Sequence, residues 1–241
     1  MTAALSDLAA MAAKPLGILV AVALPERWRA QLGDLAEGVA DALDAASTRI
    51  LGGNLVAAGE LSLTTTVLGS AFAPLRRDAA RPGDRIYVTG RFGGPAAAVA
   101  AWERGDEPVP EHRDRFARPV ARLREARWLA DRGATGAIDV SDGLAADLEH
   151  LVSASGTGAD VDLSRLPLSP GISDPVAAAA SGEEFELLVS APKGIDGQEF
   201  EGAFGLPLTE IGRVTTRDEG LTFRRGEERV AKPAGYDHLS R

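Results

Sequence analysis

Residues 137–151 read AIDVSDGLAADLEHL, and the fold turns on them. Ala137-Ile-Asp-Val has the short apolar character of a buried strand. A helix is expected from about Gly143 to Ala154, stopped by Gly156 at a left-handed C-terminal position. A strand that runs directly into a helix is the building unit of layered α/β folds. At the junction it delivers two carboxylates and a hydroxyl, those of Asp139, Asp142 and Ser141, to one end of the strand.

Working outward, the same alternation recurs. Before the junction, Arg85-Ile-Tyr-Val-Thr predicts a strand and Gly90-Arg-Phe-Gly-Gly leads into a helix over Pro95–Glu103. A polar loop follows from Gly105 to Glu111, then a charged amphipathic helix over Arg118–Arg132. After the junction, strands are expected at Asp160–Leu163, Glu184–Ala191, Ile211–Thr215 and Leu221–Phe223, with a weak helix at Gly194–Phe204. Toward the N-terminus, Leu5 to Ala13 predicts a short helix ending before Pro15, with Ser6 as a possible cap. Gly17–Leu24 predicts a strand. Pro25 opens a helix to Ala46 with Trp28, Leu32, Leu35, Val39 and Leu43 along one side. Arg49-Ile-Leu reads as a short strand leading into Gly52-Gly53-Asn54, and Leu61–Leu68 as another strand. The charged stretch Arg76–Asp84 closes on Pro82-Gly83, a turn signal. It divides an N-terminal unit, residues 1–78, from a C-terminal unit, residues 79–241. The fold class is α/β with mixed α+β layers.

Composition narrows the chemistry. The 241 residues are 45% apolar and 25% charged, as in ordinary globular proteins. With aromatics at only 5%, the core is expected to be Val, Leu and Ala. A formal net charge of −9 argues against nonspecific nucleic-acid binding, which needs a basic surface. With no cysteine, disulfides, thiolate nucleophiles and Cys-based zinc sites are excluded. His112, His150 and His238 show no zinc-ligand spacing. Leu16–Leu24 is far shorter than the about 20 residues that span a bilayer. No basic leader precedes it, so a cytoplasmic location is expected.

Several residues could carry chemistry. Asp139 and Asp142 are close enough in sequence to face one pocket, and two like charges are costly to place together without a cation. Hard oxygens of this kind suit Mg²⁺, which keeps some of its water and bridges to substrate phosphates. Ser141 or Asp142 is equally placed to cap the following helix, whose first amides would accept an anion. Capping and ligand binding both stand at this point. Gly52-Gly53-Asn54 would let a phosphate approach the backbone, or form an ordinary turn. Gly90-x-x-Gly93-Gly94 lacks the full phosphate-loop patterns. Asp7 and Arg77 read locally as surface charges. Glu183, Glu184 and Glu186 form an unusual run of acids entering a strand.

Taken together, these pieces resemble the thiamine-monophosphate kinase family, within the aminoimidazole-ribonucleotide-synthetase-like superfamily. The resemblance is carried in order by residues 5–15 (LSDLAAMAAKP), Gly52-Gly53-Asn54-Leu55, Thr66-Val-Leu-Gly, residues 77–90 (RDAARPGDRIYVTG), residues 137–151, residues 182–188 (GEEFELL) and Gly235-Tyr-Asp-His. It implies a two-domain synthetase-like fold whose smaller N-terminal domain dimerises through its sheet. It implies ATP-dependent phosphorylation of thiamine monophosphate to thiamine diphosphate, a phosphotransfer onto a phosphate acceptor. By matching position, Asp7, Asp139 and Asp142 would hold Mg²⁺, with Asn54 at a further ligand position. Gly53, Asn54, Arg77 and Ser141 would lie on the ATP side. Glu183 or Glu184, and Tyr236, would lie near the thiamine substrate. No side chain is assigned general acid–base or nucleophilic work, because a substrate phosphate is already an anionic nucleophile.

The departures from the family pattern set further expectations. Asn54 stands where the family has an aspartate, which keeps an oxygen but loses a charge. Ala12 replaces a helix glycine, and SGEEFEL replaces GGEDYEL. Family members carry an upstream segment with an Asp-Asp pair and a Thr-Thr-Asp strand. The chain is therefore expected to lack the first strands of its N-terminal sheet, leaving an edge to be paired elsewhere. Two alternatives to an active kinase follow. One is an impaired paralogue that binds nucleotide or a partner, and the other is a superfamily ATP-dependent enzyme acting on another phosphorylated small molecule.

Overall fold

The computed structural model describes residues 1–236, so Asp237 and His238 of the Gly235-Tyr-Asp-His segment lie outside the described residues. Two sheets organise the chain. The first has three strands, β1 (Lys14–Leu24), β2 (Ile50–Ala57) and β3 (Ser62–Ser70), in the order β2-β1-β3. β1 pairs parallel to β2 and antiparallel to β3. Helix α1 (Thr2–Ala10) precedes it, and a 3-10 turn (Glu26–Gln31) and α2 (Leu32–Ala45) connect β1 to β2.

The second sheet has seven strands: β4 (Arg85–Thr89), β5 (Gly136–Asp139), β6 (Gly158–Asp162), β7 (Leu187–Ala191), β8 (Leu208–Thr215), β9 (Leu221–Arg225) and β10 (Glu228–Val230). Their order is β10-β9-β6-β8-β4-β7-β5, antiparallel except where β6 meets β9. Its helices are α3 (Gly94–Glu103), α4 (Pro110–Ala117), α5 (Leu123–Asp131), α6 (Leu144–Ser155), α7 (Pro175–Ala179) and α8 (Gly197–Phe204).

Period-two alternation sends the side chains of this second sheet to two cores. Ile86, Val88 and Leu188 pack with Leu144, Leu148 and Leu151 of α6. Tyr87, Leu187 and Val189 face the other way, onto Leu123, Ala126 and Leu129 of α5 and Phe200 of α8. Leu5, Leu8 and Ala9 of α1 join that second core. The first helix of the N-terminal unit is thus built into the C-terminal unit, and this brings Asp7 toward β5.

Several local expectations need correction. Gly52, Gly53 and Asn54 lie inside β2, opposite Leu19, Val20 and Ala21, and do not form a turn. A Cβ on Gly53 would stand 1.9 Å from the Val20 carbonyl oxygen, so the glycine admits a neighbouring strand. The helix expected over Arg118–Arg132 begins at Leu123, and Arg118 to Arg122, with Pro119 among them, form an irregular turn before it. α4 occupies part of what reads as loop. Residues 184–186 precede the strand expected from Glu184, which starts at Leu187. Ser6 is buried within α1, which starts at Thr2, and is no cap. Ala12 lies past the end of α1 at φ 53°, a left-handed position that favours glycine.

Candidate functional site

β5 ends at Asp139 with all four of its residues buried, and Gly143 at φ 111° turns the chain into α6. Neither Ser141 nor Asp142 caps that helix; Gly143 holds the cap position with no side-chain bond. An acid inside the helix works in the opposite direction. The Asp147 carboxylate, buried in the first turn of α6, accepts hydrogen bonds from the Ser141 and Asp142 amides, each at 3.0 Å. This folds the Val140–Gly143 turn back over the helix start. Burial, with the nearby charges of Asp142 and Asp139, pushes the Asp147 carboxyl up to about 7 against the pull of the two amides.

Asp139 is also raised, first by burial and then by the charge of Asp7, while the Ser6 hydroxyl and the Arg77 guanidinium pull it down. Helix α1 packs against β5, which accounts for the proximity of Asp7 and Asp139. The Ser6 hydroxyl oxygen is fully buried and completes no well-formed hydrogen bond of its own. Asp7, Arg77, Asp139 and Asp142 therefore gather around one junction. Among the described residues, no three His, Cys, Asp or Glu side chains converge closely enough to hold a metal ion unaided.

Residues 182–186 run beside this turn. Glu183 and Phe185 donate their amides to the Ser141 and Val140 carbonyls, both at 2.8 Å, and the Val140 amide donates to Glu186 at 2.8 Å. The segment zigzags through two left-handed residues, Glu183 at φ 60° and Phe185 at φ 49°. Such conformations cost free energy in non-glycine residues and persist where surrounding contacts hold them. Beneath lies a buried ionic group. Glu186 accepts from Arg122 at 2.8 Å and from Thr89 at 2.7 Å, and Arg115 stands 3.0 Å away. Burial alone would raise the Glu186 carboxyl, but the two guanidinium groups and the hydroxyl hold it below its ordinary range. Glu184 accepts from the Gly93 amide at 2.6 Å and from Arg115 at 3.3 Å. Here burial wins, and the carboxyl is pushed up to about 7.

A cavity of about 640 Å³ opens where these pieces meet. Pro95, Val99 and Glu103 of α3 and Phe116 of α4 form one wall, and Ser141, Gly182 and Glu183 form another. Gly235 and Tyr236 close it, the Tyr236 amide donating to the Asp142 carbonyl at 2.8 Å. Among the described residues the lining is mainly apolar, with two carboxylates and no Lys or Arg. A neutral or cationic ring suits such a lining better than a phosphate does.

The structure thus brings Ser141, Glu183 and Tyr236 to one cavity and Asp7, Arg77, Asp139 and Asp142 to its neighbouring junction. Glu184 lies beneath the cavity and is not part of its wall. Gly53 and Asn54 stand on the three-stranded sheet. Sequence reasoning missed Asp147, Arg115, Arg122 and the role of Glu186. Only Asp147 carried a local signal, an acid in the first helical turn.

A three-stranded and a seven-stranded sheet joined through α1, with an acidic strand–helix junction, define an AIR synthase-related protein. Residues 1–71 match the family described as AIR synthase related protein, N-terminal domain, and residues 81–223 match its C-terminal domain. The chain is 38% identical to the thiamine-monophosphate kinase of Escherichia coli (strain K12), over 98% of this chain and 77% of that one. It is 32% identical to the thiamine-monophosphate kinase of Pyrococcus horikoshii, over 99% and 77%. Among solved structures, thiamine-monophosphate kinase from Stenotrophomonas maltophilia K279a superposes with a TM-score of 0.82 at 31% identity, over 94% of this chain and 76% of that one. AaThiL complexed with AMPPCP and TMP gives 0.83 at 28%, over 98% and 77%. The chain belongs to the thiamine-monophosphate kinase family.

Proposed function

We propose that this chain transfers the γ-phosphoryl group of ATP to the phosphate of thiamine monophosphate, giving thiamine diphosphate and ADP. The observation that carries the reading is the seam between residues 140–142 and 182–186. It sets the acid-lined apolar cavity directly against the Asp7–Asp139–Asp142 junction. The cavity would take the thiamine rings, whose cationic thiazolium suits Glu183 and Glu103. The acceptor phosphate would then point toward the junction, beside ATP. An oxygen of the acceptor phosphate attacks the γ-phosphorus, the bond to the bridging oxygen of ADP breaks, and ADP leaves with that electron pair. The nucleophile is already anionic, so the protein's task is positioning and charge neutralisation.

The junction fits Mg²⁺. Its acids are hard oxygen ligands, burial disfavours the Asp139 charge, and the Ser6 oxygen beside it has no other settled partner. A nucleotide-borne Mg²⁺ needs only one or two protein carboxylates, so a closed three-acid cage is unnecessary. Asp139 and Asp142, with Asp7, would hold the ion, and when bound it offsets phosphate charge. Arg77 and Ser141 would face the nucleotide. Asn54 and Gly53 would join them if the N-terminal sheet closes over the nucleotide, and Glu184 supports the substrate wall from below.

The three-stranded sheet supports a homodimer, because it exposes Leu19, Ile50, Leu55, Val56 and Leu68. Residues 1–78 would then be the dimerising unit. A reaction that draws on ATP fits a cytoplasmic location. Among the described residues, no helix is long and apolar enough to cross a membrane. Asn54, at a family aspartate position, favours a second reading in which nucleotide is bound and transfer is impaired.

The test is formation of thiamine diphosphate from thiamine monophosphate and ATP with Mg²⁺. The expected result is product with multiple turnovers. Stoichiometric nucleotide binding without product would favour the second reading.

A further inference from the structure

We propose that Arg115 is a positioning residue for the acceptor pocket, holding the Glu183 segment against the α3–α4 wall. This rests on the reading of the cavity as the acceptor site. Arg115 is not part of the cavity lining, but it joins both of its walls. It belongs to α4, whose next residue, Phe116, is cavity wall, and α4 packs along α3. From there its Nη2 donates to the Glu184 carbonyl at 2.9 Å and to the Glu184 carboxylate at 3.3 Å, and stands 3.0 Å from Glu186. The Glu184 carbonyl belongs to the Glu184–Phe185 peptide, whose amide donates to the Val140 carbonyl. The strained Glu183–Phe185 stretch is therefore held from two sides, by the Glu183 and Phe185 amides on Ser141 and Val140 and by Arg115 on the Glu184 carbonyl between them. A planar guanidinium is suited to grip a carbonyl and two carboxylates together.

Arg122 provides the contrast. It shares the Glu186 carboxylate and stands 4.0 Å from Glu125, but among the described residues it bonds neither Glu184 nor the cavity wall. Both arginines neutralise the same buried acid, and only Arg115 bridges the two walls. Helix α4 keeps a second anchor without Arg115, since the buried His112 ring meets the Pro170 carbonyl at 3.0 Å.

The experiment compares Arg115→Ala and Arg122→Ala in the full chain, with Arg115→Lys and Arg122→Lys as charge-keeping versions should either alanine variant fail to fold. Steady-state kinetics against thiamine monophosphate and MgATP give the first readout. Arg115→Ala is expected to raise KM for thiamine monophosphate about tenfold and to move KM for ATP less than about threefold. Arg122→Ala is expected to lower the melting temperature without that split, and Arg115→Lys to recover part of the KM. Amide hydrogen exchange at Glu183 and Phe185 gives a second readout that needs no turnover. It should accelerate in Arg115→Ala and stay near wild type in Arg122→Ala. Equal effects of the two substitutions, or unchanged exchange in Arg115→Ala, overturn the proposal. A wild-type chain that makes no product while the exchange contrast holds would sink the kinase reading and leave the clamp standing.

Discussion

The two sheets are written in similar residues and end in opposite environments. β7 is buried at all five positions, whereas β2 and β3 have no buried residue. Yet β2 carries Ile50, Leu51, Leu55 and Val56, a strand of core character by composition. Apolar alternation says that a strand needs cover; it does not say whether the cover comes from the same chain. In the C-terminal sheet α6 covers one face and α1, α5 and α8 the other. In the N-terminal sheet, Ile18 and Val20 of the central strand are covered, and much of the remaining apolar surface is not. The seven-stranded sheet is covered on both faces by its own chain, and the three-stranded sheet leaves apolar side chains exposed.

Three changes would break or sharpen this contrast. The largest effect is expected within the C-terminal unit. Glu186→Ala would leave Arg122 and Arg115 in the interior without their shared acid, costing about 3–5 kcal/mol in denaturant unfolding. A loss below about 1 kcal/mol would mean that water relieves those charges easily.

Next in size is a pH effect at Glu184. Its carboxyl is raised from 4.5 to about 7, so in that window the folded chain keeps a proton that the unfolded chain has lost. This group's contribution to stability is therefore full at low pH, falls as pH rises toward 7, and is level above that. Glu184→Gln removes the titration. Between pH 5 and 8 the variant should gain about 2–3 kcal/mol relative to wild type. Parallel stability curves would show that Glu184 titrates normally.

The smallest effect on folding is expected in the N-terminal sheet. Leu55→Asp should change unfolding free energy per chain by under about 1 kcal/mol. It should nevertheless convert a dimer to a monomer in sedimentation velocity. A wild-type chain that sediments as a monomer at micromolar concentration would remove the dimer from the account.

The sequence exposes local features and hides remote ones. The β5–α6 unit is legible because the apolar period changes at Ser141-Asp142-Gly143 and Gly156 takes the left-handed stop. Asp139, Ser141, Asp142 and Glu183 are legible because two short motifs carry them. Helix α4 is not, since PEHRDRFA offers only Phe116 and a closing alanine as apolar residues, and His112 and Arg115 hold it through distant partners. The pair of glycines at 52 and 53 imitates a turn. The reason for Gly53 is the Val20 carbonyl, which lies on another strand. Arg115 and Arg122 meet their acids across 69 and 64 residues, and no local pattern announces such pairs.

The central claim is that residues 139–142 and 182–186 form two halves of one site, one handling phosphate and metal and the other the acceptor. Steady-state kinetics of Asp142→Asn beside Glu183→Gln tests it most directly. The account predicts that Asp142→Asn loses kcat by about a hundredfold or more, while Glu183→Gln raises KM for thiamine monophosphate about tenfold and leaves KM for ATP near wild type. Wild-type kinetics in both variants, or the same parameter moving in both, would contradict it.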